Sequence, residues 1–418
     1  MENKNTSLNN LPNTQSQGFG DLGIDSRIMK TLHALHFIVP TPIQHKAIFP
    51  AIEGKDIIGI AQTGTGKTLA FGIPMVQRLA FLPDKQGLII VPTRELALQV
   101  DDTFKKVFSS LGLKTVVLIG GTGMGLQIKN VRNNPHVIIA TPGRLNDHLT
   151  QKTMNLNQVA ILVLDEADHM FDMGFAVQIK KILALLPQER QTLLFSATMP
   201  PEILKVAAAH MKLPLRFEIA PQGTTAEKVE HELFFVSREQ RMPLLQKILS
   251  ENQGSALLFL RTKHAAKKIC QQLIAANISA AEIHSNRSLS QRTAALSGFK
   301  SGKYRILVAT DIASRGIDIK GLAMVINYDL PESASDYVHR IGRTGRAGLA
   351  GKAISFAMRE QRNKIKEIER LIRYAIPVSK ALGLPVTQSS PEKKYIHNNY
   401  SSPKKNFKGN FKKHYSRI

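Results

Sequence analysis

Two strings in this chain of 418 residues have the residue types and spacing for phosphate chemistry. The first is Ala61-Gln62-Thr63-Gly64-Thr65-Gly66-Lys67-Thr68, between the apolar run Ile57-Ile58-Gly59-Ile60 and an apolar, helix-like stretch over residues 69–79. A strand, a glycine-bearing turn and a helix start let backbone amides converge on phosphate oxygens, and the helix dipole adds to them. Lys67 would reach the β- and γ-phosphates and the Thr68 hydroxyl would ligate magnesium. Ala61 stands where such loops usually begin with glycine. The second string, Asp165-Glu166-Ala167-Asp168, closes the aliphatic run 161–164. A parallel strand delivers residues at its C-terminal end to the ligand edge of a sheet. There Asp165 would hold magnesium, directly or through water, and Glu166 would orient or deprotonate an attacking water. Taken singly, the strings read as a glycine-rich turn and an acidic helix start. Together they specify a site for a nucleoside triphosphate and its hydrolysis. A third string, His339-Arg340-Ile341-Gly342-Arg343-Thr344-Gly345-Arg346, lies in the other half of the chain and brings cations for the same phosphates from across a cleft.

These groups need a scaffold, and the apolar runs supply one. Ile57 to Ile60, Leu88 to Val91, Val116 to Ile119, Val137 to Ile139, Ile161 to Leu164 and Leu193 to Phe195 alternate with amphipathic stretches. Short β-rich runs apolar on both faces belong to a mostly parallel sheet covered by helices. After a break the grammar resumes with runs at 233–236, 256–260, 306–308, 324–326 and 354–356. The expected architecture is α/β, with two tandem domains of like construction. Its divisions are a disordered N-terminus (1–18), a nucleotide-binding domain (19–214), a linker (215–228) around Pro221-Gln222-Gly223, a second domain (229–378) and a basic tail (379–418).

Composition narrows the partner. The 56 basic residues outnumber 32 acidic ones, a formal charge of +24. That favours a polyanion, nucleic acid first and an anionic membrane surface second. No apolar run approaches about 18 residues, so no membrane span is expected, and the polar N-terminus has no signal-peptide core. Cys270, the only cysteine, excludes an internal disulfide or a cysteine-rich metal site. It fits a reducing, cytoplasmic setting and reads as an inert packed residue.

Beyond these, Pro92-Thr93-Arg94-Glu95-Leu96-Ala97, Gly120-Gly121 and Thr141-Pro142-Gly143-Arg144 each follow an apolar run. They offer hydroxyls, amides and arginines that suit a sugar-phosphate backbone and carry no base code. Any one alone is a helix cap with a surface arginine. Arg261-Thr262 and Thr310-Asp311 stand at equivalent places in the second half. Ser196-Ala197-Thr198 is, by sequence alone, a polar turn.

From about Phe19 to Arg373 the chain resembles the DEAD-box ATP-dependent RNA helicases of superfamily 2. The resemblance implies two tandem RecA-like domains, ATP and Mg2+ as cofactors, and RNA as partner. It implies that Gln44, in His36-Phe37-Ile38-Val39-Pro40-Thr41-Pro42-Ile43-Gln44, bonds the adenine edge while Phe37 packs on its face. The family usually has glycine where His36 stands, a change expected to be without consequence. By the same resemblance Pro92, Thr93, Arg94, Gly121, Thr141, Gly143, Arg144, Arg261 and Thr310 contact RNA. Asp318 accepts from the ribose, and Arg343 and Arg346 are the arginine fingers. Ser196 and Thr198 link the acidic corner to the domain interface, and His339 and Arg340 couple to that corner. With ATP ligands in one domain and fingers in the other, hydrolysis requires closure, and ATP and RNA tighten each other's binding. Backbone bending and local unwinding of short duplexes are further implications of the resemblance.

One segment departs from the pattern. In His284-Ser285-Asn286-Arg287-Ser288-Leu289-Ser290-Gln291-Arg292, Ser285 replaces glycine and Leu289 replaces the glutamine that helps hold a network in the second domain. Either Gln291 compensates from a shifted position or the interaction is lost.

The tail after Pro391 interleaves lysines with Tyr395, Tyr400, Phe407, Phe411 and Tyr415. This pattern suits single-stranded RNA as well as a merely solubilising end. The compact layout resembles the bacterial RhlE-type subgroup. Ribosome assembly and RNA decay are the settings left open, and their proteins are the candidate partners. An ATP-gated RNA clamp and a DNA-directed motor are the competing functions; the intact Glu166 and both fingers favour turnover.

Overall fold

The computed structural model describes residues 18–62, 64–219, 229–311, 322–344 and 351–380. The first domain is built on β1 (Ile57–Ile60), β2 (Gln86–Ile90), β3 (Thr115–Leu118), β4 (Val137–Ala140), β5 (Val159–Leu164), β6 (Gln191–Ser196) and β7 (Leu215–Glu218). Their order is β3-β4-β2-β5-β6-β1-β7, with every neighbouring pair parallel. The covering helices are α1 (Ser26–Ala34), α2 (Pro42–Ile52), α3 (Lys67–Leu79), α4 (Arg94–Phe108), α5 (Met124–Val131), α6 (Pro142–Thr150), α7 (Ala167–Asp172), α8 (Ala176–Ala184) and α9 (Pro201–His210).

The two-faced burial expected of parallel strands is visible residue by residue. Ile57, Ile89, Ile161, Val163, Leu193 and Phe195 enter one core cluster. Their alternates Ile58, Ile60, Leu88, Ile90, Leu162, Leu164 and Leu194 enter another. Successive side chains of a strand point to opposite faces, so both faces must be apolar when helices cover both. Full burial of each such side chain is worth about 1.5–3 kcal/mol.

The second domain contains β8 (Val229–Phe235), β9 (Ala256–Leu260), β10 (Ala280–Ile283), β11 (Ile306–Thr310), β12 (Met324–Asn327) and β13 (Gly351–Ala357). The order is β10-β11-β9-β12-β13-β8, again all parallel. Its described helices are α10 (Arg241–Glu251), α11 (Lys263–Ala275), α12 (Leu289–Lys300), α13 (Ala334–Ile341) and α14 (Arg362–Ile372).

Two elements differ from the sequence reading. The linker expected from 215 yields its first four residues to β7, which extends the first sheet by pairing with β1. Strand β10, Ala-Ala-Glu-Ile, was not among the apolar runs because two alanines and a buried Glu282 dilute its signal. At the other end, Leu233 N donates to Pro377 O and Leu233 O accepts from Ser379 N, so backbone paired with β8 runs one residue past the expected boundary at 378. Residues 220–228 of the linker, the N-terminus up to Gln17 and the tail from Ala381 lie outside the described residues, as do Thr63, Asp318 and Arg346. No described helix is long and apolar enough to cross a membrane.

Candidate functional site

Parallel strands put all their C-terminal ends on one edge, and the chemistry collects there. The loop after β1 leads into α3, whose first residue, Lys67, is buried. Its Nζ donates to Ala61 O at 3.1 Å and lies 3.7 Å from Asp165 Oδ1. Thr65 Oγ1 braces the loop through Gln62 O at 2.7 Å. Gly66 has φ 90°, and a Cβ there would run into the Gln44 amide. Only glycine serves both conditions. Gln44 occupies that approach: its Oε1 accepts from Thr41 N at 2.9 Å, and its Nε2 donates to Gly66 O at 3.0 Å. Gln44 is therefore a brace between the cap of α2 and the phosphate loop, where the sequence reading assigned it an adenine edge. Phe37 is 41% exposed, beside exposed Ile38 and Val39, so ordinary core packing does not account for it.

The acidic corner follows β5. Glu166 sits in the left-handed region (φ 51°, ψ 50°) at the N-terminus of α7. Such backbone strain in a non-glycine residue costs on the order of 1–3 kcal/mol and concentrates at functional sites. Asp165 and Glu166 are both buried. Burial pushes the Asp165 carboxyl up to about 6, against the pull of Lys67. Burial would raise Glu166 too, but a hydrogen bond from His169 and the charges of Lys67, His169 and Arg343 hold it well below the usual carboxylate range. Thr68 and Asp165 offer hard oxygens, and a divalent cation there would offset the cost of burying the Asp165 charge. The residues present fit Mg2+.

Asp168 is the hub of the corner. Its Oδ2 accepts from Ala197 N at 3.1 Å, Thr198 N at 2.8 Å and Thr198 Oγ1 at 3.0 Å. Its backbone N donates to Ser196 Oγ at 3.0 Å. From the second domain, His339 Nε2 comes within 3.8 Å of Asp168 Oδ2. Lys67, Glu166, Asp168, His169, Ala197, His339 and Arg343 line one small cavity. The two halves of the sequence thus meet at the acidic corner.

The loops expected to meet a sugar-phosphate backbone follow the neighbouring strands β2, β3 and β4. Pro92 and Thr93 are buried, and the Thr93 hydroxyl caps α4 through Leu96 N at 3.2 Å. Arg94 lies along Gly120 and Gly121, and a Cβ at Gly121, where φ is 80°, would come within 2.5 Å of its guanidinium. Arg144 NH1 donates to Thr122 O at 3.1 Å. Thr141 starts α6 with no side-chain cap bond, and the space beside Gly143 is open. Across from them, Arg261, Thr262, Thr310 and Arg340 line a cavity of about 830 Å³ with Asp172 and Met173 of the first domain.

Comparison with known proteins decides the family. Residues 41–206 match the DEAD/DEAH box helicase model, and residues 240–348 match the helicase conserved C-terminal domain. The chain belongs to the DEAD-box RNA helicases. It is 43% identical to the ATP-dependent rRNA helicase RRP3 of Yarrowia lipolytica, over 82% of this chain and 72% of that protein. It is 41% identical to the ATP-dependent RNA helicase CshA of Listeria monocytogenes, over 84% and 68%. Among solved structures, S. cerevisiae Dbp5 bound to RNA and ADP BeF3 aligns with a TM-score of 0.77 at 28% identity, over 87% of this chain and 95% of that one. Mss116p bound to ssRNA and AMP-PNP aligns at 0.80 and 27%, over 88% and 80%. The fold is the tandem RecA-like pair.

Three expectations change in this DEAD-box helicase. Arg340 does not reach the acidic corner. It is clamped within the second domain by both carboxylate oxygens of Asp311 (2.6 and 2.7 Å), by Asn327 Oδ1 at 2.9 Å and by Asp329 O at 2.7 Å, over the Phe259 ring. A guanidinium so enclosed positions α13, and with it His339. Gln291 does not stand in for the missing glutamine either: its Oε1 caps α12 through Ser288 N at 3.0 Å. His36, finally, has φ 59°, the left-handed region where the family's glycine would sit without strain. His36→Gly is expected to stabilise the first domain by about 0.5–1 kcal/mol, the left-handed penalty less glycine's own entropy cost. Thermal unfolding would then shift up by a few degrees; an unchanged or lowered midpoint would show that His36 makes a compensating contact. Asp168, His169 and Glu95 were missed as site residues. Asp168 and His169 adjoin the acidic pair, but only folding shows that Asp168 binds the turn at 196–198.

Proposed function

We propose that this DEAD-box helicase hydrolyses ATP in the cleft between its domains, stimulated by RNA, and uses closure of that cleft to bend and locally separate short duplexes. The observation that carries the reading is the single cavity lined by Lys67, Glu166 and Asp168 from one domain and His339 and Arg343 from the other. In this reading Gln62, Gly64, Thr65, Gly66 and Lys67 cradle the phosphates, Phe37 takes the base, and Gln44 exchanges Gly66 O for the adenine edge. Thr68 and Asp165 would hold Mg2+, which when bound neutralises charge on the β- and γ-phosphates. Glu166 takes the proton from the attacking water, and Arg343 faces the charge that grows on the transferred group. Ser196, Thr198 and Asp168 pass the state of that corner to His339, and Arg340 keeps His339 in place. Thr63, Asp318 and Arg346 keep the roles implied by the family pattern.

RNA would lie across Arg94, Gly121, Thr141, Gly143 and Arg144 on one side and Arg261 and Thr310 on the other. Contacts of this type are backbone contacts, so binding should be independent of sequence. Pro92 and Thr93 serve this face by holding the start of α4. The tail's spaced aromatics and lysines support a second, non-specific RNA anchor. The buried, single Cys270 supports a cytoplasmic setting. Ribosome assembly or RNA decay is the proposed context, and an RhlE-type placement rests on the compact layout alone.

Steady-state ATP hydrolysis by the full chain, alone, with single-stranded RNA and with DNA of equal length, tests the reading. Strong stimulation by RNA only is the expected result. Equal stimulation by DNA would favour a DNA-directed motor, and no turnover under any condition a clamp. A chain ending at residue 390, assayed alongside, should bind RNA more weakly and with a flatter salt dependence; an unchanged slope would remove the tail from the interface.

A further inference from the structure

Leu289 stands where the family resemblance expects a glutamine, and the structure places it at the join between the domains. It is the first residue of α12, whose start is closed by Ser288 and Gln291. Leu289 and Arg292, three residues apart, share a helix face. Leu289 is half-buried and packs against the first domain's core cluster, which includes Leu96 and Ala97 at the head of α4. Arg292 NH2 donates to Glu95 Oε2 at 2.7 Å, and both groups are buried. That pair is one-pronged: Glu95 Oε1 and Arg292 Nε are buried and make no hydrogen bond among the described residues.

A buried ion pair with two polar atoms left unserved contributes little net attraction, because desolvation offsets the Coulomb gain. Apolar burial at Leu289 carries no such penalty. Further along the same helix, Ala295 and Phe299 belong to the second domain's own core cluster and anchor α12 there. Removing Leu289 therefore leaves the second domain intact while thinning its contact with the first.

We propose that Leu289 is an apolar closing contact in this helicase, which sets how strongly ATP binding and RNA binding reinforce each other. The proposal rests on the cleft reading given above. Leu289 touches no substrate and acts by positioning: it holds α12 against α4, the helix that begins with Arg94, and so keeps the finger-bearing domain over the acidic corner. The register of the contact comes from Arg292 and Glu95, and its strength from the leucine.

The test measures the affinity of the full chain for labelled single-stranded RNA with and without ADP–beryllium fluoride and magnesium. The ratio of the two affinities is the coupling. Leu289→Ala should lower that ratio about tenfold, in keeping with losing part of a leucine's burial. The RNA concentration giving half-maximal ATPase should rise by a similar factor, with kcat at saturating RNA retained. Leu289→Met, which conserves volume, should stay within about twofold of the parent. RNA affinity without nucleotide and the thermal midpoint should not move in either variant. An unchanged ratio in Leu289→Ala, or an equal loss with and without nucleotide, overturns the proposal. A parent protein without coupling would overturn the cleft reading itself, and the proposal with it.

Discussion

Replacing Arg343 by alanine is expected to lower kcat for RNA-stimulated ATP hydrolysis by about 10³–10⁵-fold, the range for removal of an arginine finger, while ATP affinity stays within a few fold. The asymmetry follows from where the residues sit. Lys67, Thr68 and Gln44, the proposed nucleotide ligands, belong to the first domain. Arg343 belongs to the turn that closes α13 in the second: its backbone N bonds Arg340 O, and Gly342 N bonds Val338 O. Just before it, Arg340 is clamped to Asp311, Asn327 and Asp329. The Arg343 guanidinium is buried and lines the cavity with Lys67 and Glu166, and its charge already helps depress the Glu166 carboxyl. A cation fixed there contributes most when negative charge grows in the transition state, and little to ground-state binding. Steady-state kinetics at saturating RNA, paired with equilibrium binding of a fluorescent ATP analogue, separates the two effects. A loss of kcat below about tenfold would assign the finger elsewhere, with Arg346 as the next variant to make. A parallel loss of ATP affinity would make Arg343 a ground-state ligand.

The scaffold was legible because its grammar is local. β1 coincides with the run 57–60, and β2, β5, β6 and β9 fall on or within two residues of their apolar runs. These strands are buried on both faces, so their central residues are apolar. Strands at or near a sheet's edge lose that constraint. β7 reads Leu-Arg-Phe-Glu and is largely exposed, so it resembled a linker. β10 has one strand neighbour, and its Glu282 is matched by His284 and Arg287. The placement of Lys67, Asp165 and Glu166 just after β1 and β5 was also readable, since each follows an apolar run. The hydrogen-bond partners were not. Asp168 joins a turn about 30 positions away, Gln44 a loop 22 away, and Glu95 a guanidinium 197 away. Such pairings follow from strand order, which no short string encodes. His36 is the converse case: one residue in a left-handed turn, whose cost shows only in φ.

Glu166→Gln should bind ATP and RNA as the parent does and hydrolyse about 10²–10⁴-fold more slowly, the usual contribution of a positioned general base. The change is isosteric, so the strained turn at residue 166 and the packing around it should survive. The depressed Glu166 carboxyl poses a question, because a group held so acidic is a poor proton acceptor. The structure names the causes: a hydrogen bond from His169, then the charges of Lys67, His169 and Arg343. Lys67 and Arg343 are among the cations assigned to the phosphates. Once a triphosphate occupies the loop, their charge is directed to it, and the carboxylate regains basicity where the attacking water must lie. Substrate would thus switch on its own base. Two measurements carry the test. Single-turnover hydrolysis should fall in Glu166→Gln by the stated factor, while RNA affinity in the presence of ATP stays at the parent's value or rises, because the closed state is no longer drained by turnover. Hydrolysis at the parent's rate would remove Glu166 from proton transfer and leave Asp165 as the only other carboxylate of the pair. Loss of ATP binding together with hydrolysis would instead make the residue part of the phosphate cradle, so the two outcomes distinguish chemistry from assembly at the same atom.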